Sequence, residues 1–303
     1  MVRLSFRAAP VRVRVPATSA NLGPGFDAFG LALAMHDEVV VRVADSGLAV
    51  DVAGEGADVV PRNARHLVVK SLRTTFAELG GHPRGLEVVC ANRIPQSRGL
   101  GSSAAAIVAG IIAARALVLG GEELLDDEAV LALAARIEGH PDNVAACLLG
   151  GLTIAWTEQA GARAIRLDPS SSLRPVLFVP TSRSSTARAR KVLPATVPHA
   201  DAAANAGRAA LLVPALTQRP DLLMAATEDW LHQEARGATM PRTASLVRKL
   251  RADGIPAVLS GAGPSALVLA AATEDLSSYA GKIWQVQPVE VDREGASLRP
   301  LHV

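Results

Sequence analysis

Pro95-Gln-Ser-Arg-Gly-Leu-Gly-Ser-Ser-Ala-Ala105 is the stretch that decides how this chain is read. Gly99 and Gly101 can take positive φ values and let the backbone approach a ligand, and an Ala-rich helix expected from about Ser103 to Leu119 follows directly. The first turn of a helix offers unpaired amide donors and the positive end of its dipole, so such a loop can cradle a triphosphate. It can equally be an ordinary helix entry capped by Ser102 or Ser103. What is missing narrows the choice. No GxxxxGK[ST] occurs, and Lys70, Lys191, Lys249 and Lys282, the only lysines, lie far from the loop in sequence, which excludes a Walker A site. Gly99, Gly101 and Ala104 match GxGxxA, but the eight residues Ala91 to Arg98 intervene after the expected strand Leu86 to Cys90. A dinucleotide-binding unit places its first glycine almost directly after the strand.

Outward from the loop, Val11, Val13 and Val15 alternate with Arg12 and Arg14, the period of a half-buried strand, expected to end at Pro16. Val39 to Val43 and Leu48 to Val52 read as strands. Leu67, Val68, Leu72, Phe76 and Leu79 recur at helical spacing before the stop at Gly80 and Gly81. Past the loop come a helix from about Asp127 to Ile137, the turn Gly139 to Asn143, and a strand in Leu152 to Trp156. Gln159 to Ser172 reads as a connection containing one short strand, which puts a domain boundary near residue 160 and gives domains 1–160 and 161–303. In the second part, a strand at Pro175 to Val179, helices in Ser184 to Ala252, strands at Ala257 to Leu259 and Ala266 to Ala270, a helix near Glu274 to Ala280 and a strand in Trp284 to Val291 follow the order of a split βαβ, ferredoxin-like layer. The fold class is α+β.

With 303 residues, 49% of them hydrophobic, the chain can bury a large core. A formal charge of +2 from 31 basic and 29 acidic residues, scattered along the sequence, gives no polyanion-binding stripe, and 9 aromatic residues are too few for a base-stacking platform. Nucleic acid is therefore not an expected partner. Cys90 and Cys147 sit in apolar surroundings without metal or redox spacing and read as structural. Arginines interrupt every short apolar stretch near the N-terminus, and the run Ala104 to Ala114 spans 11 residues, against roughly 20 for a membrane span. A soluble, cytoplasmic chain without membrane association is expected, with a homodimer the assembly to look for.

The loop resembles the phosphate-binding motif of the GHMP kinases. More narrowly, Pro16-Ala-Thr-Ser-Ala-Asn-Leu-Gly-Pro-Gly-Phe-Asp27, Glu138-Gly-His-Pro-Asp-Asn143 and Ser260-Gly-Ala-Gly-Pro-Ser265 are similar, in order and spacing, to segments of the homoserine kinase branch of that family. The resemblance spans about residues 11 to 270. It implies a two-domain fold, an N-terminal mixed domain carrying the glycine-rich loop and a C-terminal ferredoxin-like domain, with ATP and Mg²⁺ used to phosphorylate the side-chain hydroxyl of L-homoserine on the way to threonine.

The same resemblance implies roles for individual residues. Pro95, Gln96, Ser97, Arg98, Gly99, Leu100, Gly101, Ser102, Ser103, Ala104 and Ala105 would hold the ATP phosphates, with Ser103 (or Ser102) and Glu138 at the metal. Read without the family, Glu138 is a solvated residue at a helix C-terminus, where the dipole mildly disfavours a carboxylate. Asn21, Asp27, His140 and Asn143 would contact the amino acid, Asp27 through its ammonium. Turn chemistry alone also accounts for Asn21 and Asp27. Arg190, in a segment ending Ala-Arg-Lys-Val-Leu-Pro194, and Arg236, in His232-Gln-Glu-Ala-Arg236, would clamp the carboxylate; Glu234 and Ala235 depart from the family pattern. Arg183, Arg188 and Arg242 are nearby competitors that read as surface charge. Gly261, Gly263 and Ser265 would support the site. Asp142 is the candidate base, set against transfer by positioning with no dedicated base. His66 stands where the family pattern has Asn, which leaves the adenine contacts unassigned.

Overall fold

The computed structural model describes residues 4–270 and 275–301. Its first part contains β1 (Val11–Asn21), β2 (Gly25–Ala44), β3 (Gly47–Gly54), α1 (Leu67–Leu79), β4 (Gly85–Asn92), α2 (Ser102–Leu117), α3 (Gly121–Leu124), α4 (Asp127–Glu138), α5 (Asp142–Leu149), β5 (Leu152–Glu158) and β6 (Gly161–Leu167). Val13 and Val15 are buried as the alternation requires, while Arg12 meets Glu38 across the β1–β2 ladder. The strand does not end at Pro16. It runs on to Asn21 because Pro16 falls at a register shift against β2, where a missing amide donor is tolerated. β2, at 20 residues, pairs β1 along its length, β4 through its second half and β5 near its start.

The second part contains β7 (Arg174–Pro180), α6 (Thr186–Lys191), α7 (His199–Thr217), α8 (Leu223–Ala226), α9 (Gln233–Gly237), α10 (Pro241–Ala252), β8 (Ala257–Leu259), β9 (Ala266–Ala270) and β10 (Trp284–Pro288), and β11 (Ser297–Arg299) closes the chain. The antiparallel order β10-β7-β9-β8 is that of a split βαβ layer, as expected. Two details differ. Glu274 lies outside the described residues, and the described part of that segment forms only a 3₁₀ turn, Ser277–Tyr279. The last strand of the layer stops at Pro288, after which Val291 bridges to Leu33 and β11 pairs with β1.

The sheets therefore do not divide at residue 160. β6 and β11 both lie beyond it yet belong to the first sheet, ordered β11-β1-β2-β4-β3 with β5 and β6 attached through β2. The cores are not separate either. Alternate residues of β7 face opposite ways, Leu177 and Val179 into the large core with α2 and α7, Val176 and Phe178 into a smaller one under α10. A strand buried on both faces ties the two layers together. α2 is buried nearly all round, which its Ala, Ile and Val content permits, and it presents its N-terminus at that junction. Cys90 and Cys147 are free and buried, and burial pushes the Cys90 thiol up to about 12 and Cys147 higher than its ordinary value, which disfavours the thiolate at both.

Candidate active site

Gly101, at φ 71°, is the N-cap of α2, and no side chain caps the helix. The capping reading does not hold: Ser102 and Ser103 are the first helical residues, and Ser103 Oγ donates instead to Glu138 Oε2 at 2.7 Å. The first-turn amides are thus left for a ligand. Side chains at the two glycines would collide with the protein, since a Cβ at Gly101 would lie 1.9 Å from Thr18 Oγ1 and one at Gly99 2.2 Å from the Ser260 carbonyl. The loop is clasped from three sides. Thr18 N donates to Leu100 O at 3.1 Å, Ser260 Oγ to Gly99 O at 2.7 Å, Ser265 N to Arg98 O at 3.3 Å and Ser184 N to Ser97 O at 2.9 Å. Gly261 N donates to Ala20 O and Gly263 N to Ser260 O, so the Ser260–Ser265 loop holds both motifs together. Arg98 spends its guanidinium on the carbonyls of Gln96, Pro180 and Thr181, which makes it a buttress of the loop.

α4 ends at Glu138 and α5 begins at Asp142, and the tight turn between them aims three acidic or basic groups at the loop. His140 Nδ1 donates to Asp142 Oδ1 at 2.6 Å, and His140 Nε2 lies 4.0 Å from Glu138 Oε1. The same Asp142 oxygen accepts from the Asn143 amide at 2.7 Å, while Asn143 Oδ1 accepts from Thr18 Oγ1 at 2.7 Å. Burial raises the Glu138 carboxyl above its ordinary pKa, only partly offset by the Ser103 hydroxyl and nearby His140. Burial works against a charged His140, but the bond to Asp142 and the two carboxylates outweigh it and hold its pKa above the usual value.

The turn between β1 and β2 supplies the opposite wall. Asn21 and Asp27 both adopt left-handed backbone, at φ 69° and 56°, and Asn21 fixes the turn by accepting from Asp27 N at 3.0 Å and donating to Gly261 O at 2.9 Å. Arg190 meets both carboxylate oxygens of Asp27, at 2.8 and 2.5 Å. Arg236 is 1% exposed and donates to the Ala189 and Gly261 carbonyls and to His232 Nδ1, whose Nε2 in turn donates to Gly23 O. Both guanidinium groups lie over the Phe26 ring, at 5.5 and 5.0 Å from its centroid. Burial, followed by the charge of Arg190, lowers the Arg236 pKa.

All six residues expected at the amino acid, together with Glu138, Asp142 and Gln96 to Ser103, line one cavity of about 450 Å³. Pro95 and Ala104 do not reach it, and Asp27 and Arg190, expected on opposite charges of a ligand, are paired with each other. Sequence reasoning missed Thr18, although it stands in the quoted Pro16–Asp27 motif, and Asp37, for which no signal exists because its partners Arg93 and Ile94 are remote in sequence. The cavity lining also includes apolar Val39, Val60, Pro61 and Leu67 and buried His66, whose pKa burial lowers.

Residues 66–151 match the GHMP kinases N terminal domain and residues 203–281 the GHMP kinases C terminal region. The chain is 63% identical to the homoserine kinase of Streptomyces coelicolor over 98% of its own length and 97% of the relative's. It is 50% identical to the homoserine kinase of Mycobacterium tuberculosis over 86% and 84%. Among solved structures it is similar to homoserine kinase from Cytophaga hutchinsonii, with a TM-score of 0.82 at 26% identity, covering 99% of this chain and 100% of that one. Leishmania major mevalonate kinase in complex with R-mevalonate, at TM-score 0.67 and 19% identity over 97% and 100%, shares the fold.

Proposed function

The chain belongs to the homoserine kinases of the GHMP kinase family, and from that membership we propose how its cleft divides the work of phosphorylating L-homoserine with ATP. One observation carries the reading: a glycine loop with free helix amides, a hydroxyl–carboxylate pair and an Asp–Arg–Arg cluster share a single cavity. ATP lays its phosphates along Gln96 to Ser103, where the first-turn amides of α2 meet the negative charge without having to reorganise. Loose phosphoryl-transfer transition states need positioning and charge stabilisation more than covalent help.

Ser103 and Glu138 fit Mg²⁺. Their oxygens lie side by side, burial of the carboxylate is only partly offset by Ser103, His140 and Arg190, and among the described residues no group of three or more His, Cys, Asp or Glu forms a metal cage. Mg²⁺ suits one or two protein oxygens with waters and phosphates completing its shell, and it supplies neutralisation of the charge that builds on the phosphates. Homoserine enters as a zwitterion, so its ammonium takes Asp27 while its carboxylate takes Arg190 and Arg236, exchanging one internal ion pair for two. Asn21, Asn143 and His140 shape the seat of the hydroxyl. Asp142, 2% exposed and with one oxygen already holding His140 and Asn143, orients those groups and is not the base.

Among the described residues no helix is long and apolar enough to cross a membrane, and a cytoplasmic enzyme acting as a homodimer completes the proposal. ADP release tests the acceptor assignment. Turnover with L-homoserine and none with mevalonate or galactose is expected; the reverse preference refutes it.

A further inference from the structure

Arg183, Arg188 and Arg242 take no part in the cleft described above. They line a second cavity of about 600 Å³, bounded by the end of β7, the start of α6 and the first turn of α10. Many arginines elsewhere in this protein end on carboxylates, as Arg12, Arg42, Arg115 and Arg208 do, or on carbonyls, as Arg174 and Arg251 do. Among the described residues these three have neither kind of partner, and no acidic side chain lines their cavity. Three like charges facing one space repel each other, and a multiply charged anion relieves that repulsion. The paired donors of guanidinium match phosphate oxygens, which makes phosphate the fitting dianion. The rest of the wall is mixed, serines and threonines together with the apolar side chains of Met240, Ile283 and Trp284, and those apolar side chains offer a surface for an organic body attached to the phosphate. Ser97, Ser184 and Ser185 line both this cavity and the active cleft, and Ser184 N holds the phosphate loop through Ser97 O at 2.9 Å.

We propose that this second cavity binds a phosphorylated small molecule, with its phosphate among Arg183, Arg188 and Arg242 and its apolar body on Trp284, and that occupancy is felt at the phosphate loop through the strip from Ser184 to Ser97. Phenyl phosphate is the probe, and Trp284 is the reporter in a protein carrying Trp156→Phe and Trp230→Phe, which removes the other two tryptophans. With homoserine and a non-hydrolysable ATP analogue saturating the cleft, Trp284 fluorescence should change saturably. Affinity should fall about tenfold in Arg183→Gln and again in Arg242→Gln, the loss of one charge-assisted contact each. Both variants should keep the full turnover rate without probe. Benzyl alcohol and phenylacetate should bind at least about tenfold more weakly than the dianion. Saturating phenyl phosphate should shift the KM for ATP in the parent protein and leave it unchanged in Arg242→Gln. The site is refuted by a flat fluorescence titration, by equal affinity in the arginine variants, by equal binding of phenylacetate, or by displacement of the probe by the ATP analogue in simple competition, without the plateau that coupling between two sites gives. An unchanged KM in the parent protein refutes the coupling.

Discussion

Asp37 carries a cost that replacement should recover. It lies on β2 at the cavity wall, and its Oδ1 accepts from the amides of Arg93 at 2.6 Å and Ile94 at 2.9 Å, where the chain leaves β4 for the phosphate loop. Burial pushes its pKa from 3.8 to about 6, against the pull of those two amides. A carboxyl whose pKa is raised on folding binds its proton more tightly in the native state. The native state is therefore best served at low pH and loses stability as pH rises through 3.8 towards 6. At pH 8 the charge costs about 3 kcal/mol, and at pH 4.5 about 1 kcal/mol. Asp37→Asn keeps an oxygen for both amides and removes the charge. It should be more stable than the parent by about 2 to 3 kcal/mol at pH 8 and by about 1 kcal/mol at pH 4.5, with the KM for ATP unchanged. Urea unfolding followed by tryptophan fluorescence at the two pH values reads both quantities. An Asn variant less stable at pH 8, or an advantage that does not shrink on acidification, contradicts the reasoning.

The other predictions concern the cleft itself. Glu138→Gln should lower kcat by about 10² or more and raise the Mg²⁺ concentration needed, with the far-UV circular dichroism unchanged; a normal kcat and metal requirement would leave Glu138 a mere helix end. Asp142→Asn should cost less than about 10³ in kcat, and a larger loss with homoserine binding intact would make Asp142 the base. Arg190→Lys and Arg236→Lys should raise the KM for homoserine roughly 10- to 150-fold, from about 1.5 to 3 kcal/mol per lost contact, with little effect on ATP. Arg236→Lys should also lower the melting temperature, because its buried guanidinium holds three partners. Normal homoserine binding by both variants in calorimetry would place the carboxylate elsewhere.

Local chemistry explains what could be read in advance. The Val–Arg alternation of β1, the helical spacing and glycine stop of α1, and the glycine loop before α2 are each specified by neighbouring residues, and each stands where it was expected. Boundaries set by distant partners were not legible. Pro16 reads as a strand end until β2 is seen to shift register opposite it, and β11 returns to the first sheet through a pairing almost 300 residues away in sequence. The site shows the same division. Motifs locate Ser103, Glu138 and Asp27, but the Ser103–Glu138 bond and the Asp27–Arg190 pair join segments 35 and 163 residues apart. The sequence also offers no sign that Arg190 engages Asp27, or that Arg236 is buried, before any ligand arrives.

Comparison of L-homoserine with L-serine as acceptors reaches the central claim most directly, since the two differ by the one carbon that the distance between the phosphate loop and the Asp27–Arg190 pair must measure. With saturating Mg-ATP, coupled ADP release should be fast with homoserine and much slower with serine, and ³¹P NMR should identify the product as O-phospho-L-homoserine. Equal turnover of the two amino acids, or ADP formed without that phosphate ester, would contradict the account.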